Sequence, residues 1–442
     1  MAPPARPTTT RDAAFPLAVS PNRRYLVDRR NDPFLIVGDS PQALFVNVSV
    51  AQANYFLANR KAAGFNTVWV NLLCAKYTGG RPDGSTYDGI RPFRRQGDLA
   101  TPNEAYFARA DAMIRLAAKH RMALLLDPIE TGSWLKVLRD NGVAKAHAFG
   151  RYLGARYRKF PNIVWMSGND FQSWRSPSDD ALVLAVARGI KATDPSHLQT
   201  VELDYLDSGS LEDSNWKELI SLDAAYTYLP TYARVLKEYR REDHLPVVMV
   251  EATYEGEGDY RGPRTLRRQE YWTMLSGATG QLYGNKYTWP FLEEWQAHLN
   301  TVGSRQMTYV TNLFAQHRWF DLVPDDDHSV VVSGYGLYSG YGRAFAGTRP
   351  YRPPRRGQDT NYVTAARTPD GRLVMAYVPE GQTIGVDMSK LATGVRARWY
   401  DPTRGTYRRV AGSPFDNAGT REFSPPGKNG DGDTDWVLVL AA

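Results

Sequence analysis

The chain predicts an α/β fold, a (β/α)8 TIM barrel, followed by a small antiparallel β-sandwich. Three observations carry this. Eight short, apolar, β-rich runs alternate with longer amphipathic stretches as far as His317. Some of these runs are continuously apolar, as strands covered on both faces must be; Ala123-Leu124-Leu125-Leu126 and Val247-Val248-Met249-Val250 are the clearest. Beyond His317 the pattern changes to brief β-like runs divided by turns such as Pro369-Asp370-Gly371 and Pro379-Glu380-Gly381.

Taken in order, the eight expected barrel strands are 34–38, 67–73, 122–127, 163–167, 198–203, 224–228, 247–251 and 278–283. Helical patterns fill most of the gaps, at 49–64, 103–120, 143–157, 179–193, 232–242, 263–276 and 298–317. The first opens on Ser49, a capping residue, and closes on Gly64. Between 203 and 224 there is only a helix-sized gap. No glycine-rich phosphate loop follows the first strand, which argues against an open doubly wound sheet. The sandwich is expected from runs at 330–333, 361–367, 373–378, 383–386, 395–400 and 436–440. The Gly- and Tyr-rich stretch 334–347 is expected to be a loop over or between the domains. Three regions follow: a disordered lead (1–14), the barrel (15–320) and the sandwich (321–442). If a leader was removed ahead of the Pro-rich start, an extracellular or periplasmic location is favoured.

Bulk properties narrow the function classes. The formal charge is +7, but Lys and Arg are spread along the chain, so nucleic acid is not an expected partner. No apolar stretch reaches the roughly 20 residues that span a bilayer. The single cysteine, Cys74, excludes an internal disulfide framework and reads as a small buried hydrophobe. No His–Glu–His spacing suggests a metal, and Asp325-Asp326-Asp327 and Asp431-Gly432-Asp433 lack the full calcium-loop pattern. Neither a metal nor a cofactor is expected. His120, His147 and His298 sit in helical patterns, away from the strand ends. The aromatic share, 12%, mostly serves packing, with some rings free to stack on sugars.

A TIM barrel carries its active site at the C-terminal ends of its strands. The residues closing the runs are Asp39, Asn71, Asp127 with Glu130, Asn169 with Asp170, Glu202 with Asp204, Tyr226 with Tyr228, Glu251, and Asn285 with Lys286 and Trp289. This ring of carboxylates, amides and aromatics suits a neutral ligand rich in hydroxyls, each able to donate and accept. Glycoside hydrolysis needs two carboxyl groups flanking the scissile bond. Asp170 closes the fourth run and Glu251 the seventh, with an amide, Asn169, directly before the former. That is the placement found in the large retaining glycosidase clan. Asp39, Asn71, Asp127, Asn169, Tyr228 and Trp289 are the candidate substrate contacts, with Tyr228 expected to hydrogen-bond the nucleophile.

The chain resembles the apiosidase-like glycoside hydrolase family over nearly its whole length. The likeness lies in Phe34-Leu35-Ile36-Val37-Gly38-Asp39-Ser40, Gly64-Phe65-Asn66-Thr67-Val68, Pro161-Asn162-Ile163-Val164-Trp165 through Gly168-Asn169-Asp170, and Pro246-Val247-Val248-Met249-Val250-Glu251. The C-terminal part, with Trp399-Tyr400-Asp401-Pro402, is similar to the collagen-binding-type β-sandwich appended to such barrels. The resemblance implies a retaining mechanism with Asp170 as acid/base and Glu251 as nucleophile. An Asp at the acid/base is one methylene shorter than the clan's commoner Glu, which favours a compact sugar such as the furanose apiose. The tryptophan usual after the family's opening Gly-Asp is replaced here, where Pro41-Gln42 follow Ser40; this bears on the non-reducing-end subsite. The expected function is an exo-acting glycosidase releasing apiose or arabinofuranose from plant or microbial polysaccharide. An endo-acting β-glycanase and a non-catalytic carbohydrate- or collagen-binding surface protein are the alternatives.

Overall fold

The computed structural model describes residues 12–204, 206–258, 262–338 and 360–442. Eight parallel strands build the barrel: β1 (Ile36–Asp39), β2 (Thr67–Asn71), β3 (Ala123–Asp127), β4 (Ile163–Phe171), β5 (Gln199–Leu203), β6 (Asp223–Thr227), β7 (Val247–Glu251) and β8 (Gly280–Tyr283). Neighbours pair from β1 to β5 and from β6 to β8, and β8 pairs with β1. The remaining seam, between β5 and β6, is bridged by the Ser221 N–H donating to the Gln199 carbonyl (2.8 Å) and the Thr200 hydroxyl donating to the Leu222 carbonyl (2.7 Å). All eight expected runs fall on these strands, although β4 continues past 167 to Phe171.

Alternation along each strand sends one set of side chains inward and the other to the helices. Trp69, Leu125, Met166, Tyr226, Val250 and Leu282 fill the interior. Leu17, Leu26 and Phe34, from a three-stranded N-terminal meander, pack into the same cluster and close the end of the barrel from which the strands start. Of the lead expected over 1–14, residues 1–11 lie outside the described residues. Asp12 pairs with Lys61 (2.6 Å) and the Ala14 N–H donates to Asp28 (2.8 Å).

Seven helices of two turns or more surround the barrel among the described residues: α1 (Val50–Ala62), α2 (Glu104–Lys119), α3 (Thr131–Tyr157), α4 (Pro177–Thr193), α5 (Thr231–Tyr239), α6 (Pro263–Leu275) and α7 (Val302–Ala315). Ser49 and Gln52 form a reciprocal capping box on α1, which satisfies two otherwise orphaned N–H groups. The pattern read from 143 onward is only the second half of α3. Gly142, at φ 74°, breaks the helix there, and the first half opens earlier on a Glu130 cap. The gap after β5 holds no helix. A short strand, Asp207–Gly209, pairs antiparallel with β6, and two 3-10 turns follow.

The C-terminal region forms a six-stranded and a three-stranded antiparallel sheet around a shared core that includes Val374, Ile384, Trp436 and Leu438. Its first strand, Val323–Pro324, pairs with Thr364–Arg367. Two strands, Thr406–Arg409 and Thr420–Phe423, had no apolar signature in the sequence. Both are edge strands with mostly solvent-facing side chains, where nothing selects for apolar residues. Of the loop expected over 334–347, residues 334–338 carry no regular structure and 339–347 lie outside the described residues.

The sandwich packs on α6 and α7. The fully buried Arg267 makes two hydrogen bonds to Asp435 (3.0 and 2.9 Å), Tyr271 stacks on Tyr377, and the Tyr400 hydroxyl donates to the Tyr309 carbonyl (2.7 Å). The Asp-rich stretches are absorbed by the fold. Asp325 accepts the Val330 and Val331 N–H groups, while Asp433 pairs with Arg267 and Asp431 with Gln306. No helix among the described residues is long and apolar enough to cross a membrane.

Candidate active site

The end of β4 sets the geometry. The β4–β5 register runs from Ser167–Val201 to Phe171–Leu203, so Gly168, Asn169 and Asp170 bulge opposite Glu202. Gly168 takes φ 117° and lies so close to β5 that a Cβ would sit 2.0 Å from the Glu202 carbonyl oxygen; only glycine fits. Asn169 and Asp170 are both left-handed, at φ 67° and 60°. Each costs roughly 1–2 kcal/mol, least for Asn and Asp among side chains with a Cβ. Three side chains hold the bulge through four hydrogen bonds. The Thr131 hydroxyl reaches the Gly168 (2.8 Å) and Asn169 (3.2 Å) carbonyls. Asn71 Nδ2 donates to Asn169 Oδ1 (2.9 Å), and the Asp170 N–H donates to Glu202 Oε2 (3.2 Å).

The bulge turns the Asp170 carboxyl into the mouth of the barrel, where Oδ2 accepts the Tyr77 hydroxyl and the Tyr226 hydroxyl lies close by. Tyr77 comes from the turn after β2. Its ring lies where a side chain on Gly132 would be, its N–H donates to the Ser133 hydroxyl (2.8 Å), and it remains 47% exposed. Glu251 closes β7 and is almost completely buried. Both of its oxygens accept phenolic protons, Oε1 from Tyr228 (2.5 Å) and Oε2 from Tyr254 (2.9 Å), and Gln42 in turn donates to the Tyr254 oxygen (3.2 Å).

Burial pushes the Glu251 carboxyl above its ordinary range and the charge of Asp170 adds to the rise, while Tyr228 and Tyr254 oppose it. Burial also raises Asp170, against the Tyr77 hydroxyl and the nearby Tyr226 hydroxyl. Asp204 adds to the rise at Asp170, and because the charge of Asp170 raises Glu251, a proton held on Asp170 favours the carboxylate of Glu251. Such a pair holds an acid and a carboxylate side by side at the same pH.

The floor consists of Asn71, Asp127 and Glu202, all fully buried. Among the described residues Asn71 Oδ1, Asp127 Oδ2 and Glu202 Oε1 have no hydrogen-bond partner. Burial lifts Asp127 well above the ordinary carboxylate range. Trp289, half-buried on the loop after β8, donates from Nε1 to Glu257 (2.5 Å), whose charge is felt at Glu251. Of the sequence-predicted residues, Asn71, Asp127, Asn169, Asp170, Tyr228, Glu251 and Trp289 therefore gather around one mouth. Tyr77, Gln42, Tyr254 and the brace formed by Glu202 were not anticipated. Only Glu202 carried a signal, as a strand-closing residue.

Asp39 is the exception. It was expected to contact ligand at the rim, but Ile36 points into the barrel, so alternation turns Asp39 outward to the helix layer. There Oδ2 meets Arg60 Nε of α1 (2.5 Å) and Oδ1 accepts the Ser40 N–H (2.7 Å). Neither side chain reaches solvent. Replacing Asp39 with Ala leaves a buried guanidinium uncompensated and is expected to cost about 3–5 kcal/mol. The midpoint of urea unfolding would fall accordingly. Unchanged stability with a raised KM would return Asp39 to ligand contact.

The chain matches the family model described as "Apiosidase-like, catalytic domain" over residues 20–321. A second model, "Putative collagen-binding domain of a collagenase", matches residues 354–441. No curated protein sequence matches. Among solved structures, the chain is similar to a glycoside hydrolase (TM-score 0.80, 23% identity, 97% of each chain covered). It is also similar to a glycoside hydrolase family 5 protein from Bacteroides vulgatus (TM-score 0.79, 22% identity, covering 96% of this chain and 93% of the other). At these identities the two structures speak for the fold, the barrel with its appended sandwich. The family rests on the catalytic-domain match, which spans the whole barrel and every residue around its mouth: the chain belongs to the apiosidase-like family and is a glycoside hydrolase.

Proposed function

We propose that the protein is a retaining, exo-acting glycosidase that releases a furanose of the apiose or arabinofuranose type, with Glu251 as nucleophile and Asp170 as acid/base. The observation that carries the assignment is the bulge at the end of β4, which turns the Asp170 carboxyl into the mouth where Glu251, at the end of β7, feels its charge. Glu251 accepts two phenolic protons, which stabilise its charged form. Asp170, held at Oδ2 by Tyr77 and with the Tyr226 hydroxyl close by, is raised by burial and so carries the proton that the departing group takes. A glycosidic oxygen leaves as its bond to the anomeric carbon breaks, taking the bond's electron pair and the Asp170 proton. Glu251 forms the new bond on the opposite face. Water then attacks the glycosyl-enzyme, gives its proton to Asp170 and frees Glu251 as a carboxylate. Two displacements return the original anomeric configuration.

Asn71 and Asp127 lie beneath the pair, where Asn71 holds Asn169 and Asp127 adds its charge below Glu202. Asn169 aligns the bulge, and Trp289 flanks the entrance as a surface on which a sugar ring can stack. The burial of Glu251 below a partly exposed Asp170 favours one compact terminal sugar over a long chain lying across the mouth. In this reading the sandwich braces the barrel, consistent with the buried Arg267–Asp435 contact.

The test is a panel of aryl furanosides of apiose, L-arabinose, D-arabinose and galactose, with matched pyranosides and polysaccharides. Release of a single furanose, first formed with retained configuration by proton NMR, is expected. Release of internal oligosaccharides would favour the endo-acting alternative, and inversion would remove the two-step mechanism.

Tyr77 gives a pH test. Its hydroxyl stabilises ionised Asp170, so Tyr77→Phe lets the Asp170 pKa rise further. An acid must be protonated to work, so the alkaline limb of the kcat/KM profile should move to higher pH. The loss at the optimum should stay within about tenfold, the worth of one such hydrogen bond. A shift to lower pH would contradict the assignment.

A further inference from the structure

Glu202 belongs to neither role of the catalytic pair, yet it is fully buried at the mouth and touches the strained segment directly. A bulge leaves backbone groups without their ladder partners, and a buried N–H left alone is costly. At Asp170 the missing acceptor is supplied by a side chain, Glu202 Oε2, at 3.2 Å. The backbone of the same residue abuts Gly168. Glu202 thus contacts both ends of the left-handed turn that presents Asp170.

We propose that Glu202 is a positioning residue: by accepting the Asp170 N–H it holds the Gly168-Asn169-Asp170 bulge in the conformation that aims the acid/base carboxyl. The inference rests on Asp170 being the acid/base. It works with Glu202 uncharged. The groups acting on it are the carboxyls of Asp127 on β3, Asp170 on β4 and Glu251 on β7, with the hydroxyls of Tyr77, Tyr226 and Tyr254 around them. Burial first, then the charges of Glu251 and Asp170, push Glu202 well above the ordinary carboxylate range. A protonated carboxyl keeps a carbonyl oxygen that still accepts the N–H, and a carboxamide has the same oxygen at the same reach.

Two substitutions separate reach from acidity. Glu202→Gln keeps the acceptor and loses the acid; Glu202→Asp keeps the acid and draws the acceptor back by one methylene. Both are assayed by kcat/KM on the phenyl and 2,4-dinitrophenyl glycosides of the sugar released from the panel. Dinitrophenolate departs without a proton, so a misaimed acid spares it. Glu202→Gln should stay within about threefold of the parent on both substrates, while Glu202→Asp should lose on the order of 100-fold on the phenyl glycoside and less than about fivefold on the dinitrophenyl one. Failure of Glu202→Gln on either substrate overturns the proposal, as does an equal loss on both in Glu202→Asp. Asp170→Ala is run alongside. If it too lacks the leaving-group asymmetry, the acid/base reading falls; if it has the asymmetry and Glu202→Asp does not, only the role of Glu202 falls.

Discussion

Glu251→Gln is expected to lower kcat by on the order of 10⁴-fold or more, the scale on which loss of an attacking group reduces turnover. The side chain keeps its length, so the packing of β7 is preserved. What changes is nucleophilicity and the hydrogen-bond pattern. Today both oxygens accept, from Tyr228 at 2.5 Å and Tyr254 at 2.9 Å. A carboxamide offers one acceptor and one donor, so one phenol must turn to accept instead. Tyr254 already accepts from Gln42, so its hydroxyl oxygen faces a donor and can take a second. The thermal midpoint should therefore stay near that of the parent while turnover disappears. Mass spectrometry of the parent with a slow, deactivated aryl furanoside should find one glycosyl adduct, on the peptide containing Glu251. Turnover within tenfold of the parent, or an adduct on another peptide, would remove Glu251 from the role.

The barrel was legible because its strands are buried on both faces and so carry unbroken apolar runs, and because the helices between them repeat at helical spacing. What the sequence concealed had specific physical causes. The first half of α3 is short, with its apolar residues confined to 134–138, and is separated from the second by Gly142, so the periodicity restarts there. The edge strands Thr406–Arg409 and Thr420–Phe423 face water and need no apolar residues. At the site, strand ends located the carboxylates but not the direction in which each points. Asp39 closes β1 as Asp127 closes β3, yet one faces Arg60 and the other the mouth. Tyr77 and Tyr254 sit on loops, where no period announces contact with a carboxylate; only the three-dimensional closure of the barrel brings them to Asp170 and Glu251.

The structure also changes the reason for an aspartate at 170. The sequence suggested a shorter side chain matched to a compact sugar. Position 170 is left-handed, as is 169, and of the side chains with a Cβ, Asn and Asp tolerate that region best. The bulge thus selects the residue type independently of the substrate, and also brings the backbone forward so that the short carboxyl reaches the mouth.

Asp170→Ala should reveal the acid/base through what it spares. General acid catalysis contributes about 10²–10⁴-fold, so kcat/KM on a phenyl glycoside should fall by that factor while the dinitrophenyl glycoside still reacts with Glu251. The second step then lacks its base, the glycosyl-enzyme accumulates, and an initial burst precedes slow turnover. Azide needs no deprotonation to attack. It should restore turnover and yield a glycosyl azide of retained configuration, formed on the face that Asp170 overlooks. The pH profile supplies the sign. Burial keeps Asp170 protonated above the ordinary carboxylate range, so the parent loses kcat/KM as pH climbs through the upper titration of the pair, and the variant should lose that limb. A variant that retained the alkaline limb, or gained nothing from azide, would place the acid/base on another carboxyl of the mouth. Asp127 and Glu202 are buried acids there, but they lie on the floor, and Asp170 is the one that the bulge turns outward towards Tyr77 and the entrance.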